Sequence, residues 1–211
     1  VQGMKTKEDD DIKILRHSRT KTDVLFFTNF GRVYHARGYQ IQEGSRTSKG
    51  IPIVNLLKLQ PKEEVNAIIS MDDYSEGHYL FFATKKGVVK RRDAKDFENI
   101  NCNGKIAISL REGDALLDVR PTDGKAIISL GSSGGKVCSF YESDVRPMGR
   151  TASGVKGIDL PEEEEVVGLV SSLDGTKIFS LSENGYGKIT DGTEYRITFR
   201  GSKGVKTIKE T

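Results

Sequence analysis

The residues that could do chemistry in this chain thin out on inspection. Gly131-Ser132-Ser133-Gly134-Gly135-Lys136-Val137 has the look of a phosphate loop, but its glycine spacing is one short, and Val137 stands where a Ser or Thr would hold magnesium. Gly149 to Gly154 has the right spacing and is followed by Val155 instead of lysine. Gly185-Tyr186-Gly187 lacks the third glycine of a dinucleotide fingerprint and falls where a hairpin turn is expected. His17, His35 and His78 stand apart from one another and from any cysteine at ligand spacing, so no metal site is expected. His35, within Val33-Tyr34-His35-Ala36-Arg37, reads as an ordinary strand position ahead of a phosphate contact. None of the seven tyrosines sits in a motif that would activate a nucleophile.

What remains is a pattern of positive charge. The net charge is only +3, yet four windows, 31–50, 85–105, 135–157 and 187–206, hold 20 Lys or Arg against 8 Asp or Glu. The rest of the chain has 13 against 22, so the cations are concentrated there. The first window contributes Arg32, Arg37, Arg46 and Lys49 as candidate anion-binding residues. The second contributes Lys85, Lys86, Lys90, Arg91, Arg92, Lys95 and Lys105. The third adds Arg146, Arg150 and Lys156, and the fourth adds Arg196, Arg200, Lys203 and Lys206. Any one run, such as Lys90-Arg91-Arg92, reads as a solvated strand end. Four recurrences at one phase point instead to a basic row, because equivalent positions of stacked repeats line up on one side. Duplex DNA, with a charge about every 1.7 Å, suits such a row. Replacing Arg91 and Arg92 together is expected to lower the salt slope of binding by about 1.8. The acidic segments Glu8 to Asp11 and Glu162 to Glu165 are expected to lie away from the row.

The elements that carry these residues repeat. An apolar run, a turn glycine and a second run recur as Val24–Phe27 with Gly31, Tyr79–Phe82 with Gly87, Ala126–Ser129 with Gly135, and Lys177–Ser180 with Gly187. A later glycine follows at Gly50, Gly104, Gly154 and Gly204, spaced 54, 50 and 50 residues, with Gly3 as an earlier mark. Third runs, Val65–Met71, Ala115–Val119 and Val166–Val170, end near turn signals such as Asp123-Gly124 and Asp174-Gly175. A period of about 50 residues built from short antiparallel strands is the sign of propeller-like blades. The fold class is all-β, with approximate units 21–76, 77–124, 125–175 and an incomplete 176–211, preceded by a tail at 1–20.

Twenty-three glycines and five prolines in 211 residues agree with tight turns. Cys102 and Cys138 form no C-x-x-C pair, so neither a disulfide framework nor zinc is expected, and a reducing cytoplasmic setting fits. No apolar stretch approaches the roughly 18 residues of a membrane-spanning helix, and Val1 to Asp11 lacks the apolar region of a signal peptide.

Three strings, Tyr39 to Leu57, Met148 to Ile158 and Tyr195 to Lys206, resemble the C-terminal domain of the DNA gyrase A subunit. The homologous topoisomerase IV subunit is the secondary resemblance. This likeness implies a β-pinwheel of four-stranded blades with a basic outer edge that wraps duplex DNA in support of negative supercoiling. The partners it implies are the rest of the gyrase A subunit, together with the gyrase B subunit. ATP, magnesium and the catalytic tyrosine are implied elsewhere, so no catalytic residue and no cofactor is expected in this domain. Val1-Gln2-Gly3-Met4 resembles the residues that follow the family's wrapping box, which is expected in an earlier blade, and Arg196, Arg200, Gly201, Lys203 and Gly204 form a degenerate echo of it. A propeller-like protein-interaction module is the competing reading. A propeller enzyme would need carboxylates or metal ligands at corresponding turns, which the sequence does not offer.

Overall fold

A computed structural model describes residues 11–101 and 103–208. The glycine mark at Gly3, the stretch Val1-Gln2-Gly3-Met4, most of the acidic segment Glu8 to Asp11, and Cys102 lie outside the described residues. Among those described, fourteen strands form four antiparallel sheets, and the only helices are single 3-10 turns.

The first sheet holds β1 (Asp23–Thr28), β2 (Arg32–Arg37) and β3 (Val65–Met71). The second unit supplies β4 (Tyr79–Thr84), β5 (Val88–Asp93), the two-residue β6 (Lys105–Ile106) and β7 (Leu116–Thr122). The third supplies β8 (Ile127–Ser132), β9 (Lys136–Tyr141), β10 (Val155–Lys156) and β11 (Val166–Ser171). The last supplies β12 (Lys177–Leu181), β13 (Gly187–Asp191) and β14 (Val205–Lys206).

The hydrogen-bonded order is β3-β1-β2-β6, then β10-β5-β4-β7, then β11-β8-β9-β14, with β12-β13 as a separate hairpin. The short strand of each unit therefore pairs back onto the sheet of the unit before it: Lys105 faces Val33, Val155 faces Val89 and Val205 faces Val137. A sequence unit and a sheet are not the same set of residues. The glycine before each short strand makes this docking possible. Gly154 has φ +94°, and a Cβ there would collide with the Val89 carbonyl oxygen; a Cβ at Gly204 would meet the Val137 oxygen at 2.8 Å. Gly50 has open space around it and carries no such constraint.

The hairpin turns obey one register. Gly31, Gly87, Gly135 and Gly185 each donate their N–H to the carbonyl three residues earlier, on Thr28, Thr84, Ser132 and Ser182, as a four-residue turn requires. In the fourth unit the turn glycine is thus Gly185, with φ +82°, and the sequence expectation of Gly187 is corrected. Gly187 lies two residues on, facing Leu181 at the position that Val33 holds in the first sheet.

Side chains alternate between the two faces of each sheet, as the pleat requires. Leu25 and Phe27 of the first sheet meet Leu80, Phe82 and Phe97 of the second, while Phe81 and Ala83 turn the other way to meet Ile128, Leu130 and Phe140 of the third. Phe27, Phe82 and Phe97 form an aromatic knot with centroids 5.5 to 6.0 Å apart. Such pairs add about 0.5–1.5 kcal/mol each beyond burial. The hairpin β12-β13 is less covered, with Phe179, Leu181 and Ile189 exposed and a cavity of about 670 Å³ between it and the third sheet. Strands β3, β7 and β11 approach one another, so the sheets converge at that edge. The opposite edge, carrying β6, β10 and β14, is the outer rim.

Candidate nucleic-acid interface

The rim is built from long loops that return to the preceding sheet. Pro147 bridges to Arg91 and the Met148 N–H donates to the Arg91 carbonyl at 2.9 Å, after which the chain reaches β10. One sheet further on, Ile197 bridges to Ser139 and the Thr198 N–H donates to the Ser139 carbonyl at 2.8 Å before β14. The two loops are therefore equivalent, and their cations fall in phase. Arg146 matches Arg196, and Arg150 matches Arg200. Lys156 matches Lys206 in strand register.

Arg150 and Arg200 occupy the seams between neighbouring sheets. Arg200 donates from Nε to the Asp144 carbonyl at 3.1 Å and from Nη1 to the Lys156 carbonyl at 3.2 Å, tying the rim of one sheet to the next. Arg150 lines a cleft of about 310 Å³ with Arg92, Asp96, Lys105 and Ile106. Counting charge by window passes over a spacing that marks this position: an arginine stands four residues before the rim glycine in Arg46/Gly50, Arg150/Gly154 and Arg200/Gly204.

The eighteen candidate cations separate into groups. Arg46, Lys49, Arg146, Arg150, Arg196, Lys203 and Lys206 are exposed and have no carboxylate within salt-bridge distance among the described residues. Lys156 is exposed beside Asp159 at 2.7 Å, which holds that carboxyl below its usual range. Lys105, half-buried on β6, donates to the Asn99 carbonyl. Lys95 is exposed on the 3-10 turn Ala94–Phe97. Arg32 reaches the carbonyls of Asn103 and Gly104 and so holds the second unit's rim loop. Arg37 is bound to Asp23 at 2.6 Å, and His35 donates from Nε2 to the same carboxylate at 2.9 Å. Asp23 also accepts from Tyr74, whose pKa is raised by burial and by that carboxylate.

Two expectations need correction. The run Lys90-Arg91-Arg92 is not a solvated strand end: all three are buried. Loops of its own unit and of the following one cover β5, and the cations hold those loops. Lys90 Nζ donates to the carbonyls of Ala152, Arg150 and Ala107 at 2.8, 3.0 and 3.2 Å. Burial pushes its pKa down to about 8. Arg91 donates to the Val145 carbonyl, lies 3.6 Å from buried Glu142 and stacks over Tyr79. Arg92 pairs with Asp96, donates to the Ala107 carbonyl and covers the Phe97 ring. The second correction concerns the acidic segment Glu162 to Glu165, expected to lie away from the row, because Glu165 stands beside Lys85. Lys85 is 4.0 Å from Glu165, and Lys86 donates to the Glu112 carbonyl while its N–H meets Asp114.

Among the described residues, no three His, Cys, Asp or Glu side chains gather as a metal site would need, and no helix is long and apolar enough to cross a membrane. Cys138 is a buried free thiol facing the Ser202 hydroxyl.

Four radially arranged antiparallel sheets, stitched by strands passed back along a basic rim, define a propeller-like repeat with an outer edge suited to polyanions. A family model described as the DNA gyrase C-terminal domain, beta-propeller, matches residues 22–70, 78–123, 127–172 and 176–209, and the chain belongs to that family. It is 50% identical over its whole length to the DNA gyrase A subunit of Staphylococcus aureus strain NCTC 8325 and 48% identical over 99% of it to that of Ureaplasma parvum serovar 3. The chain spans about a quarter of the length of those relatives. Among solved structures, the C-terminal domain of DNA topoisomerase IV is similar with a TM-score of 0.79 at 29% identity, covering 89% of this chain and 58% of that one. A DNA gyrase A C-terminal domain follows with a TM-score of 0.76 at 25% identity, covering 96% and 67%.

Proposed function

We propose that this chain is a non-catalytic domain of a type II topoisomerase, within the gyrase A subunit, which binds and bends duplex DNA along its outer rim to support negative supercoiling. The carrying observation is the in-phase row of exposed, unpaired cations on successive rim loops, Arg146 and Arg150 followed by Arg196, Lys203 and Lys206. Counterion release along a row of this kind favours long, sequence-tolerant contact. Bending a 20–30 base-pair site by 40–90° costs on the order of 1–6 kcal/mol, which several phosphate contacts offset. Identity near one half to gyrase A subunits favours that enzyme over topoisomerase IV. The partners on this reading are the remainder of the gyrase A subunit, together with the gyrase B subunit; ATP and magnesium act elsewhere, and the setting is the cytoplasm.

Gel shifts with duplexes of increasing length test the reading. Affinity should rise until the duplex spans the rim and then level. A single affinity for all lengths would favour a protein-interaction module instead.

A further inference from the structure

Phe199 is the most exposed aromatic side chain on the rim, at 82%. It stands between Arg196 and Arg200 in a loop whose backbone is held at several points. Thr198 donates its N–H to Ser139, the Thr198 and Ser202 hydroxyls meet at 2.9 Å, and the Gly201 N–H donates to Gly157. Ser202 bridges to Ile158, and Arg200 anchors the loop to Asp144 and Lys156. These contacts hold the loop backbone while the Phe199 ring stands exposed on it.

The matching position one unit earlier is Gly149, where a Cβ would meet nothing within 4 Å. Ser45 and Asn99 hold the same phase in the first and second units, so among the described residues only the fourth unit puts a large apolar group there.

We propose that Phe199 is an apolar wedge that enters the minor groove of the duplex and partly unstacks one base step, fixing a kink where the rim crosses the fourth unit. Proteins that bend DNA use apolar side chains flanked by cations in this way, with the cations neutralising phosphates on either side of the opened step. Arg196 and Arg200 supply that flanking charge. This inference rests on the DNA-binding reading above.

The chain has no tryptophan, so Phe199→Trp creates a single reporter. Titration with a duplex should quench the fluorescence of that indole through stacking on bases, while the indole of Tyr186→Trp, exposed at the tip of the β12-β13 hairpin, should be unaffected. Phe199→Ala should lower affinity roughly fivefold, the lower end for losing a base-stacked aromatic. It should also reduce end-to-end energy transfer on a doubly labelled duplex of about 25 base pairs, the length of a bent site. Its salt slope should equal that of the parent, and Phe199→Leu should restore the bend. If the parent chain binds no DNA, the DNA-binding reading fails and the wedge with it. If it binds with its salt slope intact, but the Phe199→Trp variant is not quenched and Phe199→Ala bends DNA equally, the wedge alone is refuted.

Discussion

Arg146→Ala combined with Arg196→Ala separates the rim cations from the buried ones. Both arginines are exposed, occupy the same phase in successive loops and have no carboxylate partner among the described residues. Each phosphate contact contributes about 0.9 to the slope of log affinity against log salt, so losing two should lower the slope by about 1.8. Between 50 and 200 mM salt the parent should then lose about twelvefold more affinity than the double variant. Arg91→Ala should behave in the opposite manner. It strands buried Glu142 and frees the Val145 carbonyl, at a cost of about 3 kcal/mol. For a chain of this size that corresponds to a fall in Tm of roughly 6–12 °C. Its salt slope, measured well below the transition, should stay unchanged. Fluorescence anisotropy of a labelled duplex gives the slopes, and thermal unfolding gives the stabilities. The reasoning fails if Arg91→Ala lowers the slope as far as the rim pair does, or if the rim pair leaves it untouched.

Two further outcomes follow from the docking of the rim. Gly154→Ala should destabilise the chain by about 1–3 kcal/mol or more through its positive φ and the Val89 carbonyl, whereas Gly50→Ala should change stability by less than about 0.5 kcal/mol in the same urea titration. Lys90, with a native pKa pushed down to about 8, sheds its proton before the unfolded chain does near 10.4. The unfolded state therefore binds more protons between those values, and the stability owed to this group rises as pH climbs from about 8 to about 10.4 and is lost as pH falls through 8. Urea melts of the parent and of Lys90→Met across that range should show a difference that grows with pH; a flat difference contradicts the assignment.

Local patterning makes the strands legible. Val24–Phe27, Tyr79–Phe82 and Val65–Met71 are apolar runs bounded by turn residues, and each is a strand in the structure. Gly185 and Gly187 both satisfy a turn pattern, and only strand register distinguishes them, so the sequence alone puts the fourth turn two residues late. The passing back of β6, β10 and β14 is hidden from the sequence, since two residues carry no periodicity and their partners lie 66 to 74 positions away. That same long-range docking explains why Lys90-Arg91-Arg92 reads wrongly. A strand of charged residues looks solvated until a loop from the next unit covers it and offers its carbonyls. The exposed cations are legible by recurrence because neither a buried partner nor a long-range contact is needed to place them on the rim.

The claim that DNA follows the outer rim is tested most directly by photocrosslinking. A benzophenone amino acid replaces Thr151, exposed on the rim loop, or Val167, exposed on β11 at the convergent edge. Irradiation with bound duplex should give a protein–DNA adduct from position 151 and none from position 167. An adduct from 167 in equal or greater yield would contradict the rim path.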